Sequence, residues 1–112
     1  MKHEMKLNAE PFFAIQSGRK TVEMRLYDEK RSQIKAGDEI QFIHRDTGEV
    51  LVCLVTGLYR YESFAQLYKN HDKASIGYAD GESAHPDDML AYYSQEDIDR
   101  YGVVGIEIQR MV

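Results

Sequence analysis

The residues with the clearest chemical potential lie in the stretch 18–25, GRKTVEMR, where Lys20, Glu23 and Arg25 alternate in charge. Converging side chains of these types could bind an anionic or polar ring-shaped ligand. Arg25 could hold a phosphate or a base edge with its planar fork, and Lys20 could supply a point charge. Glu23 could accept a hydrogen bond from an exocyclic amine or act as a general base. Alternatively, Glu23 and Arg25 simply pair with each other on a solvated strand face.

A strand over about 21–26 would position these groups. Because strand side chains alternate, Val22 and Met24 would face a core while the polar residues face the other way. Lys20 falls on the opposite side of this alternation from Glu23 and Arg25, so it would have to reach the polar face from the preceding turn. The polar face would carry Thr21, Glu23, Arg25 and, past the end of the strand, Tyr27.

Hydrophobic patterning predicts four further strands and several short helices. The strands would cover 3–7, a segment containing Ile40 and Phe42, the run 49–59 and the segment 103–109. The near-continuous apolar run at 49–59 predicts burial on both faces. Short helices would begin at the capping residues Asn8, Ser63 and Ser94, and at the stretch 85–88, where a proline and two acids mark a helix start. Strands joined by hairpins or long returns favour a small barrel over a doubly wound sheet.

Tyrosine is concentrated in the second half of the chain, where seven of the eight lie between positions 59 and 101. One or two could stack on a base beside the cleft, as in proteins that bind single strands. The alternative is that they pack helices on the barrel with their hydroxyls at the rim. Arg60 ends the 49–59 strand between two aromatic residues, and together with Tyr27 it is a further candidate for the cleft.

The charge distribution restricts the partner. The 112-residue chain has a net charge of −5, which argues against broad duplex binding through many phosphate contacts. Residues 1–35 carry eight Lys/Arg and five Asp/Glu, whereas residues 80–99 carry seven acids and no Lys or Arg. Nucleic acid should therefore meet the N-terminal third, and a short ligand is favoured over a long polyanion.

Other features of the sequence limit the class of protein. The chain is predicted to form one domain over 1–112. It has no apolar run that could span a membrane and no signal-peptide pattern, so no membrane partner and a cytoplasmic location are expected. The single cysteine, Cys53, is predicted to be a small buried hydrophobe. The spacing of His and Cys predicts no metal site, and no glycine motif for a nucleotide cofactor is present.

The pattern Gly18-x-Lys20-x-x-Glu23-x-Arg25 resembles the signature of the ASCH domain family. The step Lys35–Ile40 and the ending Tyr101–Ile108 are similar to a single-domain bacterial branch of that family. The resemblance implies an α+β fold: a small PUA-like mixed β-barrel of about five to six strands with short peripheral helices.

The resemblance also implies more than one activity. ASCH domains are broadly regarded as RNA-associated modules, and some are reported as ribonucleases. One branch resembles small amidohydrolases that act on N4-acetylcytidine, in which the motif lysine is catalytic and a threonine three residues later is the nucleophile. Here Glu23 stands at that position, while Thr21 follows Lys20 directly.

The sequence therefore predicts a module that binds a short RNA, a nucleotide or a modified nucleoside without a cofactor. Its candidate ligand-binding residues are Lys20, Glu23, Arg25, Thr21, Tyr27 and Arg60. If the protein is an enzyme, it is expected to be a metal-independent hydrolase of a nucleoside or RNA in which Lys20 and Glu23 are catalytic. A second alternative is a protein-interaction module that uses the acidic segment 80–99. The ligand's identity and the oligomeric state stay open.

Overall fold

The computed structural model describes residues 1–111. Five strands form one sheet: β1 (Lys2–Leu7), β2 (Val22–Leu26), β3 (Glu39–His44), β4 (Val50–Tyr61) and β5 (Val103–Arg110). The α-helices are α1 (Ala9–Gln16), α2 (Phe64–Asn70) and α3 (Gln95–Tyr101), and 3₁₀ helices cover Arg31–Gln33 and Pro86–Ala91. Within residues 1–111, no helix has the length and apolar content needed to cross a membrane. The predicted α+β class is confirmed.

The sheet has the strand order β1-β3-β4-β5-β2 and curls into a half-barrel. β1 runs parallel to β3, and the other neighbouring pairs are antiparallel, so the sheet is mixed as predicted. This order makes β1 and β2 the two edge strands. We call the open side of the half-barrel between β1 and β2 the seam.

Two apolar clusters hold the sheet and helices together. The first fills the inside of the half-barrel, where Phe12 and Ile15 of α1 pack on Phe42, Val55 and their neighbours. The second lies on the opposite face of β2 and β5, under α2 and α3. Its members include Val22, Met24, Leu67, Ile98 and Val103. The short strands β2 and β5 are therefore covered on both faces, which fixes their register.

β4 departs from its prediction. Its alternate residues Cys53 and Val55 are fully buried, but Val50 is 50% exposed and Val52 and Leu54 are only partly covered. The expected burial on both faces was wrong, because no layer of the described structure covers the first half of β4 from outside. The buried position expected for Cys53 is confirmed, and burial raises the pKa of its thiol to about 11.

Side-chain capping sets the starts of α2 and α3 as the sequence predicted, whereas the predicted cap Asn8 makes no side-chain hydrogen bond at the start of α1. Ser63 accepts a hydrogen bond from the Gln66 amide, and Ser94 accepts one from the Asp97 amide. α3 ends at Gly102, whose φ of 70° lies in the left-handed region that favours glycine. A Cβ at this position would lie 3.0 Å from the backbone oxygen of Tyr61, so strain and crowding combine there.

Gly102→Ala should therefore lower the free energy of unfolding by about 1–2 kcal/mol, because alanine is strained at this φ. Gly81→Ala is the matched control, since a Cβ at Gly81 would meet open space. Urea unfolding at neutral pH measures both changes. Equal effects of the two substitutions would contradict the local account of the α3 terminus.

Candidate functional site

The candidate site is built around the buried carboxylate of Glu23 on β2, whose side chain is 5% exposed. Its Oε1 lies 2.8 Å from Lys20 Nζ and accepts a hydrogen bond from the Met24 amide at 3.2 Å. Its Oε2 accepts hydrogen bonds from Arg25 Nε at 3.1 Å and from Arg25 Nη2 at 3.0 Å. We call Lys20, Glu23 and Arg25 the triad. The pairing of Glu23 with Arg25 that the sequence allowed is present, and Lys20 joins it.

The two cations determine the ionisation of Glu23. Burial alone would raise the pKa of Glu23, but the charges and hydrogen bonds of Lys20 and Arg25 outweigh it and lower the pKa to about 2. Burial would likewise lower the pKa of Arg25, but the charge of Glu23 outweighs it and raises the pKa. Glu23 is therefore an anion at neutral pH and a weak proton acceptor.

Lys20 lies in the turn before β2 and reaches Glu23 from there, as the alternation of side chains along the strand required. The Lys20 amide donates to the Ala14 carbonyl at 3.0 Å, which ties the turn to α1. The amides of Thr21 and Val22 both donate to the Ser75 carbonyl at 2.9 Å, so the segment 71–84 packs on the start of β2. Gly77 in that segment lies against the aliphatic part of Lys20, since a Cβ there would be 3.3 Å from Lys20 Cδ.

Arg25 also crosses the seam. Its Nη2 donates to the backbone carbonyl of Lys6 on β1 at 3.2 Å, so one guanidinium group contacts both edge strands. Beside it, the Arg45 amide donates to the Leu7 carbonyl at 2.9 Å, which brings the end of β3 next to the end of β1. The triad therefore lies where the half-barrel opens.

A cleft of about 520 Å³ opens over the triad. Its lining is rich in charge and in tyrosine. The basic lining residues are Lys6, Lys20, Arg25, Arg31 and Arg45. The acidic ones are Glu10, Glu23, Glu82 and Asp88. The tyrosines are Tyr68, Tyr78, Tyr92 and Tyr93. The cleft is thus slightly basic in a chain with a net charge of −5.

Three of the four cleft tyrosines make packing or hydrogen-bond contacts within the protein, and the fourth is exposed. Tyr78 donates to Asp88 Oδ2 at 2.7 Å and its hydroxyl lies 2.8 Å from that of Tyr68, so these two join the 71–84 segment to its neighbours. Burial, followed by the hydrogen bonds with Tyr68 and Asp88, raises the pKa of Tyr78. Tyr93 stacks on Phe64 at an interplanar angle of 16°. Tyr92, by contrast, is 68% exposed and lines the cleft.

Three predicted ligand-binding residues lie elsewhere. Tyr27 and Arg60 line a second groove of about 670 Å³, in which Arg60 Cζ lies 3.9 Å from the Tyr27 ring centroid. Thr21 is exposed and does not line the cleft, and its carbonyl accepts a hydrogen bond from the Ile108 amide. Of the six predicted ligand-binding residues, the structure thus brings three together: Lys20, Glu23 and Arg25.

The sequence analysis missed Lys6, Arg31 and Arg45 as cleft residues. Parallel pairing of β1 with β3 brings Lys6 and Arg45 to one edge, but neither segment carries a signal for which strand it will pair with. Arg31 lies in the 3₁₀ helix of a polar segment that lacks a hydrophobic period. The surplus of base over acid in residues 1–35 was the one available indication for Lys6 and Arg31.

The ASCH domain model matches residues 5–111. The chain belongs to the ASCH domain family. Hypothetical protein PH0355 has a similar crystal structure at 36% identity, covering 99% of this chain and 100% of that one, with a TM-score of 0.86. The solution structure of protein PF0455 from Pyrococcus furiosus is similar at 33% identity, covering 99% and 98% of the two chains, with a TM-score of 0.76.

A mutant of the ZmASCH protein from Zymomonas mobilis shares the fold of this ASCH domain at 14% identity and a TM-score of 0.63. The match covers 95% of this chain and 67% of that one. No curated protein matches the chain.

Glu23→Gln should lower the free energy of unfolding by about 3–5 kcal/mol, because it leaves two largely buried cations without their anion. Glu4→Gln, an exposed change on β1, should stay within about 0.5 kcal/mol of wild type. Urea unfolding at pH 7 makes the comparison. Similar stabilities of the two variants would show that the triad contributes nothing to the fold.

The advantage of wild type over Glu23→Gln should also depend on pH. The pKa of Glu23 is about 2 in the folded state against an ordinary 4.5, so the unfolded chain binds more protons below that value. The stabilisation is then complete above about pH 4.5 and is lost as the pH falls towards 2. Urea unfolding in steps from pH 6 to pH 3 should show the two stabilities converging. Parallel curves would contradict the low pKa.

Proposed function

We propose that this ASCH domain binds a short RNA segment, a nucleotide or a modified nucleoside in the cleft over the triad. The observation that carries the proposal is a buried ion triad at the floor of a cleft that also presents an exposed tyrosine. Buried charges are costly for folding, and clusters of them in clefts are typical of functional sites. Cations and a tyrosine ring are also the groups that bind phosphates and bases.

In this proposal Glu23 is a positioning residue. An ionised carboxylate has about four acceptor positions, and Lys20, Met24 and Arg25 already supply four donors to it. Its two oxygens are occupied before any ligand arrives. The ligand would instead contact the outward groups of Lys20 and Arg25, whose orientation Glu23 fixes.

The cleft favours binding over acyl transfer. Its lining residues within 1–111 include no serine, threonine or cysteine that could serve as a nucleophile. Thr21 lies outside the cleft, and Glu23 is too weak a base to activate water efficiently at neutral pH. The chemistry of the amidohydrolase-like branch therefore lacks its nucleophile at this site.

The acidic lining residues favour a short ligand. Glu10, Glu82 and Asp88 share the cleft with the basic groups, so a strand running through it would bring phosphates next to carboxylates. Glu82 Oε1 accepts a hydrogen bond from the Ala79 amide and Asp88 accepts one from Tyr78. These two acids of the 80–99 segment thus support the cleft wall, which weakens the alternative of an independent protein-binding surface.

The direct test is a thermal-shift screen of nucleosides, nucleotides and short RNA oligomers. A ligand at 100 times its Kd should stabilise the fold by about 2.7 kcal/mol, which raises the melting temperature. Tyr92→Ala should weaken the best ligand by about 1–3 kcal/mol through lost stacking and leave the melting temperature of the free protein nearly unchanged. Tyr101→Ala is the matched control, because Tyr101 is exposed in the second groove.

Two results would count against the proposal. Absence of a shift with every nucleic-acid component, in a folded protein, would contradict binding at this cleft. Release of acetate from N4-acetylcytidine by wild type but not by Lys20→Ala would favour the hydrolase instead.

A further inference from the structure

Two arginines that line the cleft keep hydrogen-bond donors without a partner within residues 1–111. Arg25 commits Nε and Nη2 to Glu23 and Lys6, and its Nη1 has no partner within residues 1–111. Arg31 pairs through Nη1 with Asp28 Oδ2 at 2.9 Å, and its buried Nε has no partner within the same residues. A buried donor without an acceptor is rare and costs free energy.

Tyr93 lines the same cleft as these two guanidinium groups. Burial raises the pKa of the Tyr93 hydroxyl; the charges of Arg25 and Arg31 oppose that rise, and those of Glu23 and Asp28 add to it. The remaining donors of two guanidinium groups, together with a hydroxyl, suit a ligand group that carries several acceptor oxygens.

Further positive charge lies along the same cleft. Lys6, whose carbonyl accepts the Arg25 hydrogen bond, and Arg45, next to the end of β1, both line it. Glu23 offsets one of the two cations beside it, Lys20 and Arg25. The whole lining of the cleft still carries five basic residues against four acidic ones.

We infer that the ligand carries a terminal phosphate, held by Arg25 and Arg31 beside Tyr93, with its base at Tyr92. This inference rests on the proposed function and narrows it to phosphorylated ligands. Arg25 Nη1 and Arg31 Nη2, which have no partner within residues 1–111, can each donate charge-assisted hydrogen bonds to phosphate oxygens. A terminal phosphate fits better than an internal one, because Glu10, Glu82 and Asp88 disfavour a strand that continues through the cleft. A free nucleotide and the phosphorylated end of an RNA share this chemistry.

Calorimetric titration tests the inference. The probes are the four ribonucleosides, their 5′- and 3′-monophosphates, and tetranucleotides with and without a terminal phosphate. The phosphorylated member of the best pair should bind at least about tenfold more tightly than its unphosphorylated counterpart, as expected for charge-assisted contacts. A preference among the tetranucleotides identifies an RNA end, and a preference confined to monophosphates identifies a free nucleotide; both outcomes support the inference.

Two other outcomes would overturn it. Equal affinity for phosphorylated and unphosphorylated probes would remove the phosphate site and leave the proposed function intact. Absence of binding by every probe would remove the phosphate site and would also contradict the proposed binding of unmodified nucleotides and short RNA.

Variants of the Arg31–Asp28 ion pair test whether Arg31 holds the phosphate. Arg31→Gln should bring the phosphorylated-to-unphosphorylated affinity ratio close to one and change nucleoside affinity by less than about twofold, because it removes one of two cationic forks. Asp28→Asn is the matched control, since it breaks the same ion pair but keeps the guanidinium group. It should retain the preference for phosphorylated probes.

Arg45→Gln is a second variant, for the case in which Arg31→Gln unfolds. It should lower the phosphorylated-to-unphosphorylated affinity ratio, and circular dichroism checks the folding of each variant. An unchanged ratio in folded Arg31→Gln would contradict the assignment.

Discussion

The ionised carboxylate of Glu23 is the constraint on which the arrangement of the cleft depends. A charge taken out of water must be paired and hydrogen-bonded, or its cost exceeds what a small domain can tolerate. Lys20 meets that need from the turn before β2, and Arg25 meets it from the strand itself. Because Arg25 also reaches the Lys6 carbonyl, the same pairing connects the two edges of the half-barrel. The polar floor of the cleft is thus part of how the fold holds its shape.

The segment 71–84 completes the site from the other side. The Ser75 carbonyl accepts the first amides of β2, and Gly77 allows the backbone to approach Lys20 closely. A larger residue at Gly77 would meet Lys20 and would be strained at a φ of 114°. The Tyr68–Tyr78–Asp88 hydrogen bonds then tie the segment to α2 and to the 3₁₀ helix that follows. This segment with no strand of its own therefore acts as a fixed wall of the cleft.

The sequence predicted the elements well because its signals were local. Alternation identified β1 and β5, hydroxyl caps identified α2 and α3, and the parity of Lys20 required the reach that the structure shows. Properties set by distant packing were not available. Exposure of the first half of β4 depends on which layer covers it, and the separation of Tyr27 from the cleft depends on how the sheet curls. Arg45 joins the cleft only because β3 pairs in parallel with β1.

The position three residues after Lys20 shows why shared fold does not carry shared chemistry. A hydroxyl there could approach a lysine and become a nucleophile, as the resemblance to the amidohydrolase-like branch implies. A carboxylate there forms an ion pair with the same lysine, is buried, and is held far below its ordinary pKa. The lysine is then held at Glu23 Oε1, while Arg25 pairs with the other carboxylate oxygen. Under the proposed function, Glu23 therefore supports binding of acceptor and anionic groups and does not take the nucleophile's part in acyl transfer.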